Sequence, residues 1–277
     1  MSSNKDSKKI LSVITELKEE VLNSGNKSDL DYFNFHEVRF FRMAKSVLSR
    51  IPLGSKVLDI GSHFLHSSII LKKLGYDVSS MDIQIFWDIS FVKSRAEQFD
   101  LEPVIENNLE TFKSMGAVND EFDLIVFTEI FEHITFNPVH FWNSIYRITK
   151  SNGSIYLTTP NSLALPNLLR SCKNLLLLKG IGLQIPEILN YVTYGHHWKE
   201  YSRKEIKQYF SLISDDFKLS IDFFEYQKVT KDNGIRGVIW STLLKVGTRI
   251  NWLAPNIEAI IRIEKVMGLK MKPPKYH

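Results

Sequence analysis

The sequence predicts an α/β fold on a mainly parallel, doubly wound sheet, and three observations carry that prediction. Short apolar runs of strand type alternate with helical patterns from Lys56 onward. Such alternation implies βαβ units with right-handed crossovers. The first of these runs ends at Gly61 and the second at Asp82, the places where an open parallel sheet presents its ligand-binding edge. With 277 residues, 44 % of them hydrophobic and 24 % charged, the chain can bury a full core without covalent staples.

Before the alternation begins, Ile10, Leu11, Val13, Ile14, Leu17, Val21 and Leu22 recur at helical spacing. A second set, Val38, Phe41, Met43, Val47 and Leu48, follows Asp29 to Asn34. Two amphipathic helices are expected there, and residues 1–50 form an N-terminal helical segment. Lys56 to Ile60 reads as a strand, and the helical pattern Leu65, Ile69, Ile70, Leu71, Leu74 closes at Gly75. Asp77 to Met81 is the second strand. A helix from Trp87 to Phe99, a short strand at Pro103 to Glu106 and a buried strand at Phe122 to Phe127 come next. The helix Pro138 to Thr149 leads through Asn152 and Gly153 into a fifth strand, Ser154 to Thr159, which Pro160 stops.

From Asn161 the chain is Leu-rich and irregularly helical, longer than an ordinary connection, and residues 161–195 are read as a lid inserted into a domain covering 51–277. Ser202 caps the next helix, with Glu205 at the reciprocal capping position. Phe217 to Tyr226 and Glu258 to Val266 are two late strands, joined by a helical stretch from Ile235 to Leu253.

Composition narrows the function. Cys172 is the one cysteine, which rules out an internal disulfide framework and a cysteine-based zinc cluster and fits a reducing compartment. The net charge of +4 would not by itself hold a polyanion, so nucleic acid is not expected as a partner. Residues 1–9 lack the apolar core of a secretory signal, and no apolar run is long enough to cross a bilayer. A cytoplasmic location is expected. Oligomeric state is not legible.

The candidate site starts with Asp59-Ile60-Gly61-Ser62, where glycine lets the backbone approach a ligand and the following helix offers unpaired N–H donors. Asp82 adds a carboxylate able to accept both hydroxyls of a ribose. The missing G-x-G-x-x-G fingerprint disfavours a dinucleotide, whose pyrophosphate needs that cradle.

Taken with Asn108-Leu109-Glu110, the run Phe122 to His133 and the block Gly153 to Asn161, the sequence resembles the class I S-adenosylmethionine-dependent methyltransferases, in particular the small-molecule O-methyltransferase branch, over about residues 35–210. The resemblance implies a Rossmann-like seven-stranded sheet with an antiparallel last strand. It implies S-adenosylmethionine as cofactor. Asp59, Gly61 and Ser62 would border its methionine part, Asp82 the ribose, Ile83 the adenine face, and Asn108 with Leu109 the adenine edge. Thr128, Glu129 and Ile130 would floor the site.

Two departures stand out. The family loop has two further glycines where this chain reads Ser62-His63-Phe64-Leu65, and an acidic residue where Asn108 stands. They support a second reading, a weakened methyltransferase-like fold that binds a nucleoside or a partner. For catalysis the candidates are His196 and His197, which follow the lid and precede a capped helix, with His133 next; an imidazole can take the acceptor hydroxyl proton. His63 and His66 read as capping or surface residues. No metal is expected, because no Cys/His or H-x-x-x-H ligand set is present.

The acceptor is expected to be a small molecule, sugar or lipid-linked intermediate. Asn161 to Tyr194 and Ile235 to Pro255 combine Leu, Ile and Trp with Lys173, Lys179, Arg236, Lys245 and Arg249. An ordinary hydrophobic lid is one account and peripheral contact with a membrane surface the other.

Overall fold

The computed structural model describes residues 2–183, 185–190, 192, 195–225 and 235–274. The chain divides into two compact units. Unit 1 comprises Met1–Phe127, His140–Tyr156 and Arg262–Lys265, and unit 2 Thr128–Val139, Leu157–Ile261 and Val266–His277.

Helices α1 (Ser2–Asn23) and α2 (Lys27–Leu48) open the chain. The second starts at the Asn26 cap, whose side chain accepts the Asp29 N–H at 3.1 Å, so α2 already includes Asp29 to Asn34 ahead of the second apolar set. Then come β1 (Lys56–Ile60), α3 (His66–Leu74), β2 (Asp77–Asp82), α4 (Gln84–Trp87), α5 (Ser90–Gln98) and β3 (Glu102–Ile105). The helix expected from Trp87 to Phe99 is α5, which starts later, at Ser90, because Ile89 is extended (φ −70°, ψ 120°), and the short α4 precedes it. Next are β4 (Phe122–Thr128), α6 (Val139–Ile148), β5 (Thr149–Pro160), α7 (Leu165–Leu176), α8 (Ile185–Asn190), α9 (Arg203–Ile213), β6 (Phe217–Phe224), α10 (Ile235–Arg249) and β7 (Asn256–Ile263).

The sheet has seven strands in the order β3-β2-β1-β4-β5-β7-β6, with the last strand antiparallel, as the Rossmann-like expectation has it. Pairing is parallel between β1 and β2, β1 and β4, and β2 and β3. Leu58 lies level with Ser79 on one side and Ile125 on the other, which brings the ends of β1 and β2 to one edge. Pro103 is confined to the edge strand β3, where a missing N–H breaks no inner ladder. Extended backbone in β5 begins at Thr149, earlier than expected, with Asn152 left-handed (φ 66°). At Gly153 an added Cβ would sit 2.6 Å from Thr149 Cγ2 and 2.9 Å from Lys150 O, so only glycine fits.

In unit 1, Val57, Leu58, Ile60, Ile69, Ile70 and Ile125 form the buried centre. Helices α1 and α2 pack on each other and on α3, and Lys73 reaches Glu16 and Glu20 at 3.3 and 3.2 Å. In unit 2, Phe131 stacks on Tyr201 with ring centroids 4.2 Å apart and on Phe210 at 6.1 Å. The reciprocal cap at Ser202 and Glu205 forms as the sequence indicates. The two late strands are shifted from the expected spans: β6 ends at Phe224, with Tyr226 outside the described residues, and β7 starts two residues early at Asn256.

Candidate functional site

In unit 1 the loop after β1 turns back on itself through alternate left-handed residues. Gly61 has φ 73°, His63 48° and Leu65 68°. Where the family it resembles has further glycines, this chain holds His63 and Leu65 in the left-handed region, at a cost of the order of 1–2 kcal/mol for each. Neighbouring groups hold it there. The N–H groups of Gly61 and Ser62 both donate to Met81 O, at 2.8 and 3.0 Å, and the His63 N–H donates to Asp82 Oδ2 at 2.7 Å.

Helix α2 supplies the second brace. Asp29, fully buried, receives both guanidinium nitrogens of Arg95 at 3.1 and 2.5 Å, and His66 Nε2 lies 2.8 Å away. Arg95 Nη1 also donates to Phe64 O at 2.9 Å, tying the loop to this network. Burial would raise the Asp29 carboxyl, but hydrogen bonds from His66 and Arg95 hold it below the ordinary carboxylate value. Tyr32 packs its ring 4.4 Å from that of His63. His66 is therefore buried and not a surface residue, and His63 is half-buried, with its imidazole pushed down to about 4 chiefly by burial.

Asp59 lies inside, where Oδ2 accepts the hydroxyls of Ser67 and Ser68 at 2.6 Å each and burial raises its carboxyl. Asp82 accepts the N–H of Ile83 on Oδ1 at 2.8 Å and of His63 on Oδ2, and burial lifts it to about 6. Each oxygen keeps a lone pair for a hydroxyl donor. Asn108 is exposed, its Oδ1 turned to the Glu110 N–H at 2.9 Å, and Leu109 is half-buried. Two groups here were missed from sequence. Buried Glu106 accepts the N–H of Asn108 and the N–H and hydroxyl of Ser114, and Asn107 Oδ1 accepts the Gln84 N–H at 2.8 Å. A carboxylate closing the third strand was the available signal for Glu106.

Four buried polar atoms at this loop have no partner among the described residues: Asp59 Oδ1, Ser62 Oγ, His63 Nδ1 and His66 Nδ1. Buried groups of this kind call for a bound polar partner. Together with the open lone pairs of Asp82 they fit a nucleoside that carries an amino acid.

Unit 2 holds the acid/base groups. Glu129, left-handed at φ 55°, donates its N–H to Thr158 O and accepts the Thr158 hydroxyl at 2.8 Å, between half-buried Thr128 and Ile130. Glu132 is buried, and Thr159 Oγ1 donates to its Oε2 at 2.9 Å. Burial, and next the charge of Glu129, raises the Glu132 carboxyl well above the carboxylate range.

The three candidate histidines separate. His196 is 4 % exposed and donates Nε2–H to Glu187 O at 3.1 Å, while its own carbonyl receives Nδ1–H of His133 at 2.9 Å. His197 donates Nδ1–H to Glu200 Oε1 at 3.1 Å. Because a carbonyl and a carboxylate only accept, His133 and His197 carry their protons on Nδ1 when neutral and leave Nε2 as an acceptor. Their rings lie 5.0 Å apart, edge to face. The Glu200 hydrogen bond raises His197, whereas burial lowers His133. Glu132, His133 and His197 each present a donor atom within 4.8 Å of the others, close enough to hold a divalent cation. Neither periodicity nor spacing signals this convergence from segments so far apart in the chain.

A family pattern described as a methyltransferase domain matches residues 29–212, and the chain belongs to that family. No curated protein matches in sequence. Among solved structures, an S-adenosylmethionine-dependent methyltransferase from Archaeoglobus fulgidus is similar at 17 % identity, over 86 % of this chain and 100 % of that one, with TM-score 0.54. A Haloferax volcanii complex of the Trm112 methyltransferase activator with a methyltransferase contains a chain similar at 15 % identity, 83 % and 92 % coverage and TM-score 0.56. A Methanosarcina mazei S-adenosylmethionine-dependent methyltransferase follows at 17 %, 79 %, 97 % and 0.52. At such identities the likeness is one of fold. The protein is a methyltransferase, and S-adenosylmethionine is its cofactor.

Proposed function

We propose that the protein methylates an oxygen of a small molecule, a sugar or a lipid-linked intermediate. The observation that carries this reading is the imidazole pair His133 and His197, each held through Nδ1 and each offering Nε2 as a proton acceptor. A hydroxyl acceptor must lose a proton as it attacks, whereas a ready amine or thiolate need not be deprotonated by such a pair.

Asp82 binds the ribose hydroxyls, Asp59, Gly61 and Ser62 border the methionine part, and Ile83, Asn108 and Leu109 contact the adenine. Thr128, Glu129 and Ile130 form part of the cofactor floor. Bound S-adenosylmethionine supplies a sulfonium methyl and its own neutral leaving group. The chain's part is to align the acceptor, exclude water and take the proton. His197 is the first choice for the base because it is the more exposed of the pair. His196 acts through His133 as a positioning residue, since its carbonyl fixes that ring. In this reading residues 51–277 form the cofactor-binding domain, 1–50 brace it, the described residues of the 161–195 insertion cover the acceptor, and the enzyme works in the cytoplasm.

Release of S-adenosylhomocysteine in the presence of pooled phenol, sugar and polyprenyl acceptors measures turnover. His197→Ala lowers it by about 10²–10⁴ while calorimetric affinity for S-adenosylmethionine stays unchanged. An equal loss of cofactor affinity places His197 in the cofactor shell instead, and no effect from His197→Ala, His133→Ala or both removes the pair from the reaction.

A further inference from the structure

We propose that α7, α8 and α10 form one surface that lies on an anionic phospholipid bilayer. All three belong to unit 2, and α7 and α10 pack together, with Leu165 Cβ 3.3 Å from where a side chain at Gly247 would start. Large apolar side chains stand out on them and just past their ends. Leu176 is 85 % and Leu178 96 % exposed, and Ile185, Leu189, Val238 and Trp252 are each more than half exposed. A soluble surface carries single apolar residues, whereas several large ones exposed on helices that pack together, as α7 and α10 do, mark a docking face.

The charges around it select the occupant. Arg170, Lys173, Lys179, Lys245 and Arg249 are all exposed, and Glu187 is the one acid in 165–192 or 235–253. Cations flanking exposed Leu, Ile and Trp are the composition of a segment lying in a lipid headgroup layer, with the apolar side chains entering the acyl boundary and the cations meeting phosphates. A second copy of this chain would bring five cations against five like charges. Spanning is not involved, since no described helix is long and apolar enough to cross a membrane. The inference does not depend on which atom is methylated.

Sedimentation of the full chain with sucrose-loaded vesicles tests it, using phosphatidylcholine alone or with about one third phosphatidylglycerol. The protein partitions onto the anionic vesicles at least about tenfold more strongly than onto the neutral ones, and added salt removes the difference. Leu176→Glu with Leu178→Glu, and separately Lys173→Glu with Lys179→Glu, each lower that partition by about tenfold or more. Circular dichroism and S-adenosylmethionine titration of both variants match the parent, which shows that the fold is kept. Absence of partition onto anionic vesicles overturns the proposal. So does a concentration-dependent dimer that Leu176→Glu abolishes in a protein that binds no vesicle, a result that assigns the face to a second copy.

Discussion

Residues 56–74 and residues 165–190 are both rich in branched aliphatic side chains, yet they treat them in opposite ways. In β1 and α3, Val57, Leu58, Ile69, Ile70 and Leu71 are fully buried, and the polar groups among them, such as Asp59, Ser68 and His66, are buried and hydrogen-bonded. In α7 and α8, Pro166 is the one buried residue, and Leu169, Leu175, Leu176 and Leu189 face outward. The first region is specified by contacts within the chain. The second leaves apolar surface that the described residues of its unit do not cover, which is the surface proposed above to meet a bilayer. The strained loop at His63 and Leu65 belongs with the first region, because only a rigid surround keeps non-glycine residues left-handed.

The contrast can be broken by truncation. Leu58→Ala removes a fully buried side chain and costs about 2–5 kcal/mol in denaturant unfolding, whereas Leu176→Ala stays within about 0.5 kcal/mol. Comparable losses would mean that the helices after Asn161 are packed as tightly as β1. Next in size, Asp82→Ala weakens S-adenosylmethionine by about 1–3 kcal/mol in calorimetric titration, since the ribose hydroxyls lose a charged acceptor. The same carboxylate sets a pH dependence. Burial holds it near 6, so the ionised form that binds is lost as pH falls through that value, and affinity declines on the acid side of about pH 6. Asp82→Asn flattens that decline; a decline that persists in the variant locates the titrating group elsewhere. Smallest is the effect of metal removal. Dialysis against a chelator leaves turnover unchanged if Nε2 of His197 takes the proton directly, and a loss restored by a divalent cation would assign Glu132, His133 and His197 to an ion.

Much of unit 1 was legible because local chemistry and global fold agree there. Gly75 ends α3 in the left-handed conformation that the sequence demands, and the apolar runs became β1, β2 and β4 almost residue for residue. The Ser202 cap was legible for the same reason, since its two partners are three residues apart. What escaped depends on distance along the chain. His66 read as a surface or capping residue because nothing nearby announces Asp29 and Arg95, which reach it from α2 and α5. The left-handed backbone at His63 and Leu65 escaped because side-chain type argues against it and contacts of the loop with Met81, Asp82 and Arg95 impose it. In unit 2 the adjacent pair His196 and His197 could not be told apart in sequence. The carbonyl of Glu187 takes one ring inward and the carboxylate of Glu200 holds the other outward.

The atom that receives the methyl group tests the account most directly. Incubation with S-adenosylmethionine labelled with carbon-13 in its methyl group, followed by proton–carbon correlation spectra of the products, reads that atom from the methyl shift. Label in an oxygen-bound methyl, formed by the parent and absent with His197→Ala, is the predicted result. Label in a nitrogen- or carbon-bound methyl, or oxygen methylation undiminished in His197→Ala, would contradict it.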